Sequence, residues 1–138
     1  MDYHNGQLRF FTNSGSGFNI YTTSSGDAVL NEWNHIAGTY NNGTVRIYVN
    51  GILQSGSGSL PASLSTNNRN LIIGGNENTQ YFDGGIDEVS IWNVELSEAQ
   101  IRERICKKIT AGDPFFCNLL AYFKFDENTG NTLFDYAS

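Results

Sequence analysis

Two alternating runs joined by an Asn-Gly turn constrain this chain more than any other feature. Trp33-Asn34-His35-Ile36-Ala37-Gly38-Thr39-Tyr40 reads as a strand, and Asn41-Asn42-Gly43 reads as a tight hairpin turn. Thr44-Val45-Arg46-Ile47-Tyr48-Val49-Asn50 is then the return strand. Asn and Gly tolerate the positive φ that a two-residue hairpin demands. The period of two sends Val45, Ile47 and Val49 inward and Thr44, Arg46 and Tyr48 outward. A second turn at Asn50-Gly51 leads into Ile52-Leu53-Gln54.

The rest of the chain repeats this pattern. Gln7 to Thr12 and Phe18 to Thr22 are expected strands, with turns at 13–17 and 24–27. Phe18, Ile20 and Thr22 share one face of the second, and Asn19 and Tyr21 the other. Residues 55–68 form a Ser/Gly-rich loop that Leu60, Pro61 and Leu64 pin down. Leu71-Ile72-Ile73-Gly74 is expected to be a short strand buried on both sides, and 75–80 a compact polar loop. Phe82 to Trp92 is a further strand, whose Trp92, like Trp33, is expected in the core. One helix is signalled near 97–105, where Ser97 and Gln100 make a capping box. Leu119 to Phe125 is a late strand, 126–131 a turn, and Thr132 to Asp135 a last short strand. Many short strands with Gly/Asn turns and a single helix imply an all-β, two-sheet antiparallel jelly-roll sandwich.

The 138 residues suit one domain, and 9 Phe, 7 Tyr and 2 Trp can fill its core. The net charge of −6 and the lack of any Lys/Arg cluster argue against a nucleic-acid partner. No apolar run approaches the roughly 20 residues of a membrane span. Met1-Asp2-Tyr3-His4 does not read as a signal peptide, so an export signal would lie upstream. Cys106 and Cys117 flank a short segment with Gly112, Asp113 and Pro114. A disulfide there would close a connector and imply an extracellular or periplasmic protein. Left free, Cys106 is a helix-end hydrophobe.

The central hairpin, Trp33 to Gly51, resembles that of laminin G-like modules. Phe82-Asp83-Gly84-Gly85-Ile86-Asp87-Glu88-Val89-Ser90-Ile91-Trp92-Asn93, followed by Leu96-Ser97 and the helix, resembles their other hallmark. Both segments are also similar to pentraxins. The resemblance covers most of residues 5–105 and implies a concanavalin A-like sandwich. Such modules usually open with strands that precede the matched segment. Leu119 to Gly130 looks like that opening strand, yet it stands near the end. Either the chain straddles two tandem modules, or the fold is circularly permuted. The expected organisation is a sandwich over 1–105, a disulfide-closed connector over 106–118, and the opening strand in 119–138. That strand packs back on the sandwich or belongs to a following repeat. An empty strand position would leave an open edge, which invites a dimer by strand exchange.

A glycosidase needs two carboxylates facing one cleft. Asp87 and Glu88 are adjacent on an expected strand and would point to opposite faces. The glucanase-type Glu-x-Asp-x-x-Glu run is absent, and His4 and His35 have no nucleophile motif beside them. No catalytic residue is assigned. The pentraxin resemblance implies a calcium site: Glu77 and Gln80 match a ligating Glu and Gln, and Asn5 resembles another ligand. His4 stands where that pattern has Asp, and the acidic loop after Gly74 is shortened. Asp83 joins the metal set, with Asp87 and Asp135 in reserve. The bland alternative is a turn whose Asn and Gln cap backbone groups. For a sugar ligand, Tyr81 offers a ring beside Glu77, Asn78 and Gln80. The Asn42-Gly43-Thr44 sequon is explained by its turn. The chain therefore reads as a secreted or cell-surface binding module, cut from a larger surface protein. Its partner is a glycan or an extracellular protein. The competing reading is a structural spacer with no small ligand.

Overall fold

The computed structural model describes residues 1–13, 18–24, 28–58, 60–66, 68, 70–75 and 80–137. Most of the turns expected at 13–17 and 24–27, and the Glu77-Asn78 part of the polar loop, lie outside the described residues. The chain forms two compact units: residues 1–66 with 95–107, and residues 67–94 with 108–138.

The first unit holds β1 (Asp2–His4), β2 (Gln7–Asn13), β3 (Phe18–Thr23), β4 (Ile36–Asn41), β5 (Thr44–Val49), β6 (Ile52–Leu53) and β7 (Gly56–Gly58). One antiparallel sheet runs β1-β2-β3-β7 and the other β4-β5-β6. Three of the hairpins turn on Asn-Gly pairs. Asn5-Gly6, Asn42-Gly43 and Asn50-Gly51 all have positive φ at both residues, the type I′ geometry that matches strand twist. The core between the sheets holds Leu8, Val45, Ile47, Val49 and Leu60, with Tyr3, Phe10, Tyr21, Ile36 and Tyr40 packed against it. Burying each large apolar side chain contributes about 1.5–3 kcal/mol. The inward set of β5 is therefore the one its alternation dictates.

Several expectations in this unit are corrected. Tyr48 is buried although it stands on the outward face of β5. The reason is that the segment leading into α1 (Glu98–Arg104) covers that face. Glu95 accepts hydrogen bonds there from Arg46 (2.6 Å), Asn41 (2.9 Å) and Thr39 (3.4 Å). In β3 the inward residues are Tyr21 and the buried Thr23, and Ile20 is exposed. Leu60 does pin its loop, whereas Leu64 is exposed.

The strand expected from Trp33 begins only at Ile36, and Trp33 is 73% exposed rather than in the core. Asn34 takes the preceding segment off the ladder. Its side chain accepts from the Val29 amide (3.2 Å) and donates to the Val29 (2.7 Å) and Glu32 (3.0 Å) carbonyls. Asn50 then ties His35 to the β5–β6 turn through backbone and side chain.

Ser97 and Gln100 form the expected capping box of α1, and Ile101 is its buried residue. Arg102 donates to the Gly51 carbonyl at 2.8 Å, fixing the helix on that turn. Gly51 has φ +76, and a Cβ there would stand 2.6 Å from Arg102 Cγ and 2.9 Å from Ile105 Cδ1. Gly51→Ala is expected to lower stability by about 1–2 kcal/mol, read as a lower urea midpoint with unchanged slope.

The second unit is built on β8 (Val89–Trp92) and β9 (Leu119–Phe123), an antiparallel pair with a bulge at Ile91/Trp92. The late strand thus pairs within this chain, with a partner from the second hallmark segment. A 3₁₀ turn over Phe116–Asn118 leads into β9. Tyr122 is fully buried at its centre. Its hydroxyl donates to the Glu88 carboxylate and accepts from the Ile109 amide at 3.2 Å. Its ring meets Tyr136 edge-on at 6.4 Å, and Lys124 Nζ stands 3.8 Å from the Tyr136 ring centroid.

Here too the strands are shorter than expected. Leu71 to Gly74 forms none, and Leu71 and Ile72 are exposed. The Gly74 carbonyl accepts from the Phe82 amide (2.8 Å) and Gly75 bridges Tyr81, so the chain folds back instead of entering a ladder. Residues 82–88 are likewise not strand, because Glu88 has φ +53 and its amide bonds to Asp87 Oδ1. Residues 132–135 form no strand: Asp135 Oδ1 accepts from the Tyr122 and Ala137 amides and holds this segment through side-chain bonds.

Candidate functional site

The loop from Gly74 to Asp83 carries most of the candidate ligand-binding residues. The single bridge between Gly75 and Tyr81, with the Phe82-to-Gly74 hydrogen bond, closes its base. Gly74 has φ +76, the left-handed turn that lets the chain reverse. Tyr81 emerges from this base 79% exposed. Gln80 and Asp83 flank it and are also exposed. Glu77 and Asn78 lie outside the described residues. The arrangement presents an aromatic face, an amide and a carboxylate together. Such a set can stack on an apolar sugar face and exchange hydrogen bonds with hydroxyls.

Asn5 stands in the first unit, at the tip of the β1–β2 hairpin. Its φ is +49, and its side-chain amide lies 3.1 Å from His4 Nε2. Both features are those of a turn residue. Two reserve ligands are committed to the fold. Asp87 caps the Glu88 amide, and Asp135 accepts from Tyr122 and Ala137. The Glu88 carboxylate is engaged by the Tyr122 hydroxyl. Among the described residues, no group of three or more His, Cys, Asp or Glu side chains is placed to hold a metal ion. His35 is half-buried, and burial lowers its pKa by disfavouring the charged imidazolium.

Cys106 and Cys117 are both exposed free thiols. The segment between them is shaped instead by Asp113. Its carboxylate accepts from the Phe115 amide at 2.8 Å, and its carbonyl accepts from the Phe116 amide. Two structural centres escaped sequence reading: Glu95, with its three donors, and the Glu88–Tyr122–Ile109 set. Each joins residues far apart in the chain, so no local spacing announces it.

A laminin G-type family model, described as the concanavalin A-like lectin/glucanases superfamily, matches residues 2–102. The chain belongs to this superfamily. No curated protein and no solved structure matches the chain. The superfamily match takes in β1 to β8 and most of α1, whereas β9 and the loop after it lie beyond the match. Membership agrees with the antiparallel sheets and single short helix, and it marks the chain as a binding module. Among the described residues, no helix is long and apolar enough to cross a membrane.

Proposed function

We propose that the chain is a non-catalytic extracellular module that binds carbohydrate at the Tyr81 loop. The observation that carries this reading is the 79% exposure of Tyr81 on a loop whose base is closed by the Gly75 bridge. An aromatic ring held in water on a closed loop base is pre-organised for stacking, so little ordering remains to offset on binding. Gln80 and Asp83 supply polar groups for sugar hydroxyls. The pentraxin-like Glu77 and Gln80, with Asp83 as a further carboxylate, support a Ca²⁺ that assists the same loop. Superfamily membership supports a place outside the cell.

A glycan array tests this reading. Binding is expected to fall about tenfold in Tyr81→Ala, roughly 1.4 kcal/mol of ring contact, with the melting temperature unchanged. An array without ligands, together with stability gained only from adjoining modules, would instead make the chain a spacer.

A further inference from the structure

We propose that the outer edge of β4 is a self-association surface, on which a second copy of this chain pairs its own β4 in antiparallel register. This surface is separate from the Tyr81 loop and does not depend on that reading. β4 stands first in the β4-β5-β6 sheet, so only one of its sides meets a strand. Asn41 pairs with Thr44 across the turn, and at the other end the Asn50 amide donates to the His35 carbonyl at 2.8 Å. Antiparallel pairing alternates, so Ala37, Thr39 and Asn41 turn their backbone groups to β5, and Ile36, Gly38 and Tyr40 turn theirs outward. Among the described residues, nothing hydrogen-bonds these outward amides and carbonyls. Gly38, at the centre of the edge, is exposed. An open row of backbone donors and acceptors is a template for a further strand.

Charge and register favour a like partner. The net charge of −6 makes two copies repel over most of their surface, but residues 36–41 hold no charged side chain. Glu95, which reaches Thr39 and Asn41, is paired with Arg46 at 2.6 Å. The edge also lacks the usual guards against pairing: it has no Lys, no Pro and no bulge. A two-fold axis through Gly38 sets Gly38 opposite Gly38 of the second copy and Ile36 opposite Tyr40, each pair exchanging both of its hydrogen bonds. Ile36 and Tyr40 lie on the core face, because their β5 partners are Val49 and Val45. Each meeting is therefore a favourable pair of a β-branched and an aromatic side chain. Gly38 brings no side chain to the centre of the seam, and the Phe10 ring stands 3.1 Å from where its Cβ would be. On the opposite face Ala37 meets Thr39, both small. No strand is exchanged, and β9 stays on β8 of its own chain. One strand edge buries less than the roughly 800 Å² per partner of a standard interface, so a dissociation constant on the order of 0.1 mM is expected.

The test is sedimentation of the chain from roughly 10 µM to 1 mM, with Cys106 and Cys117 kept reduced, joined to amide hydrogen exchange at both ends of that range. A monomer–dimer equilibrium is expected. Exchange at Ile36, Gly38 and Tyr40 should slow about fourfold between the two ends, following the fall in monomer fraction at that affinity. Ala37→Lys places two ammonium groups across the seam and should weaken dimerisation at least about tenfold. Should that variant unfold, the concentration dependence of Gly38 exchange in the wild type decides alone. A chain that is monomeric at the highest concentration would overturn the proposal. So would full association in a folded Ala37→Lys, or a dimer whose Gly38 amide exchanges as fast as in the monomer, which would place the contact elsewhere. Protection of Gly38 by an added peptide of residues 119–126, in a chain that stays monomeric, would make the edge a seat for an extended segment instead.

Discussion

Ile47→Ala is expected to destabilise the protein by about 3–4 kcal/mol. Ile47 has no exposed surface, and it lies in the middle of β5 between Val45 and Val49. Its cross-strand partner is Gly38, which has no side chain to fill the space that truncation would leave. The cost is therefore the lost transfer energy plus an uncollapsed cavity. Ile47→Val should cost only about 1 kcal/mol, because most of the volume is kept. Urea unfolding, followed by a signal from the first unit, reads both values. Equal losses for the two variants would show that the site is not a packed core.

The second large effect concerns Tyr122. Burial, and donation of its hydroxyl to Glu88, push its pKa up to about 12. The folded value exceeds the unfolded value of about 10, so the fold favours the neutral phenol. Its stabilisation is complete below about pH 10 and is lost as pH rises through about 12. A rise of that size corresponds to roughly 2–3 kcal/mol. Independently of that titration, Tyr122→Phe should lower stability by about 1–3 kcal/mol at neutral pH, because it leaves the Ile109 amide and the Glu88 carboxylate without this partner. Between about pH 10 and 12 the wild type should lose stability more steeply than the variant. Tyr48, also pushed upward by burial, contributes with the same sign in both proteins, so the difference isolates Tyr122. A constant gap across that window would mean that Tyr122 titrates normally.

The legible part of this fold is its local part. Asn-Gly pairs need positive φ, and the two read as turns, Asn42-Gly43 and Asn50-Gly51, became tight turns. Alternation in β5 fixed which side chains entered the core, and the Ser97 capping box placed α1. What was illegible depended on partners distant in sequence. Tyr48 is buried because Glu95, 47 residues later, anchors the helix lead-in over its face. Trp33 looked like a core residue from its neighbours, but the Asn34 side chain diverts that segment into a loop. The apolar run at 71–74 and the segment 82–88 both read as strand, yet a strand needs a partner ladder as well as propensity. For the candidate site, Tyr81 comes from residue type and Gln80 from the resemblance, and the structure adds their exposure.

Two antiparallel sheets enclose one core in the first unit, and β8 pairs with β9 in the second. Residue-resolved amide hydrogen exchange probes both features at once. The slowest amides are expected in the β4–β5 ladder, at positions such as Ala37 and Tyr48, with a second protected set at Ile91 and Ala121. Fast exchange at Tyr48, or protection spread along helical segments, would contradict this architecture.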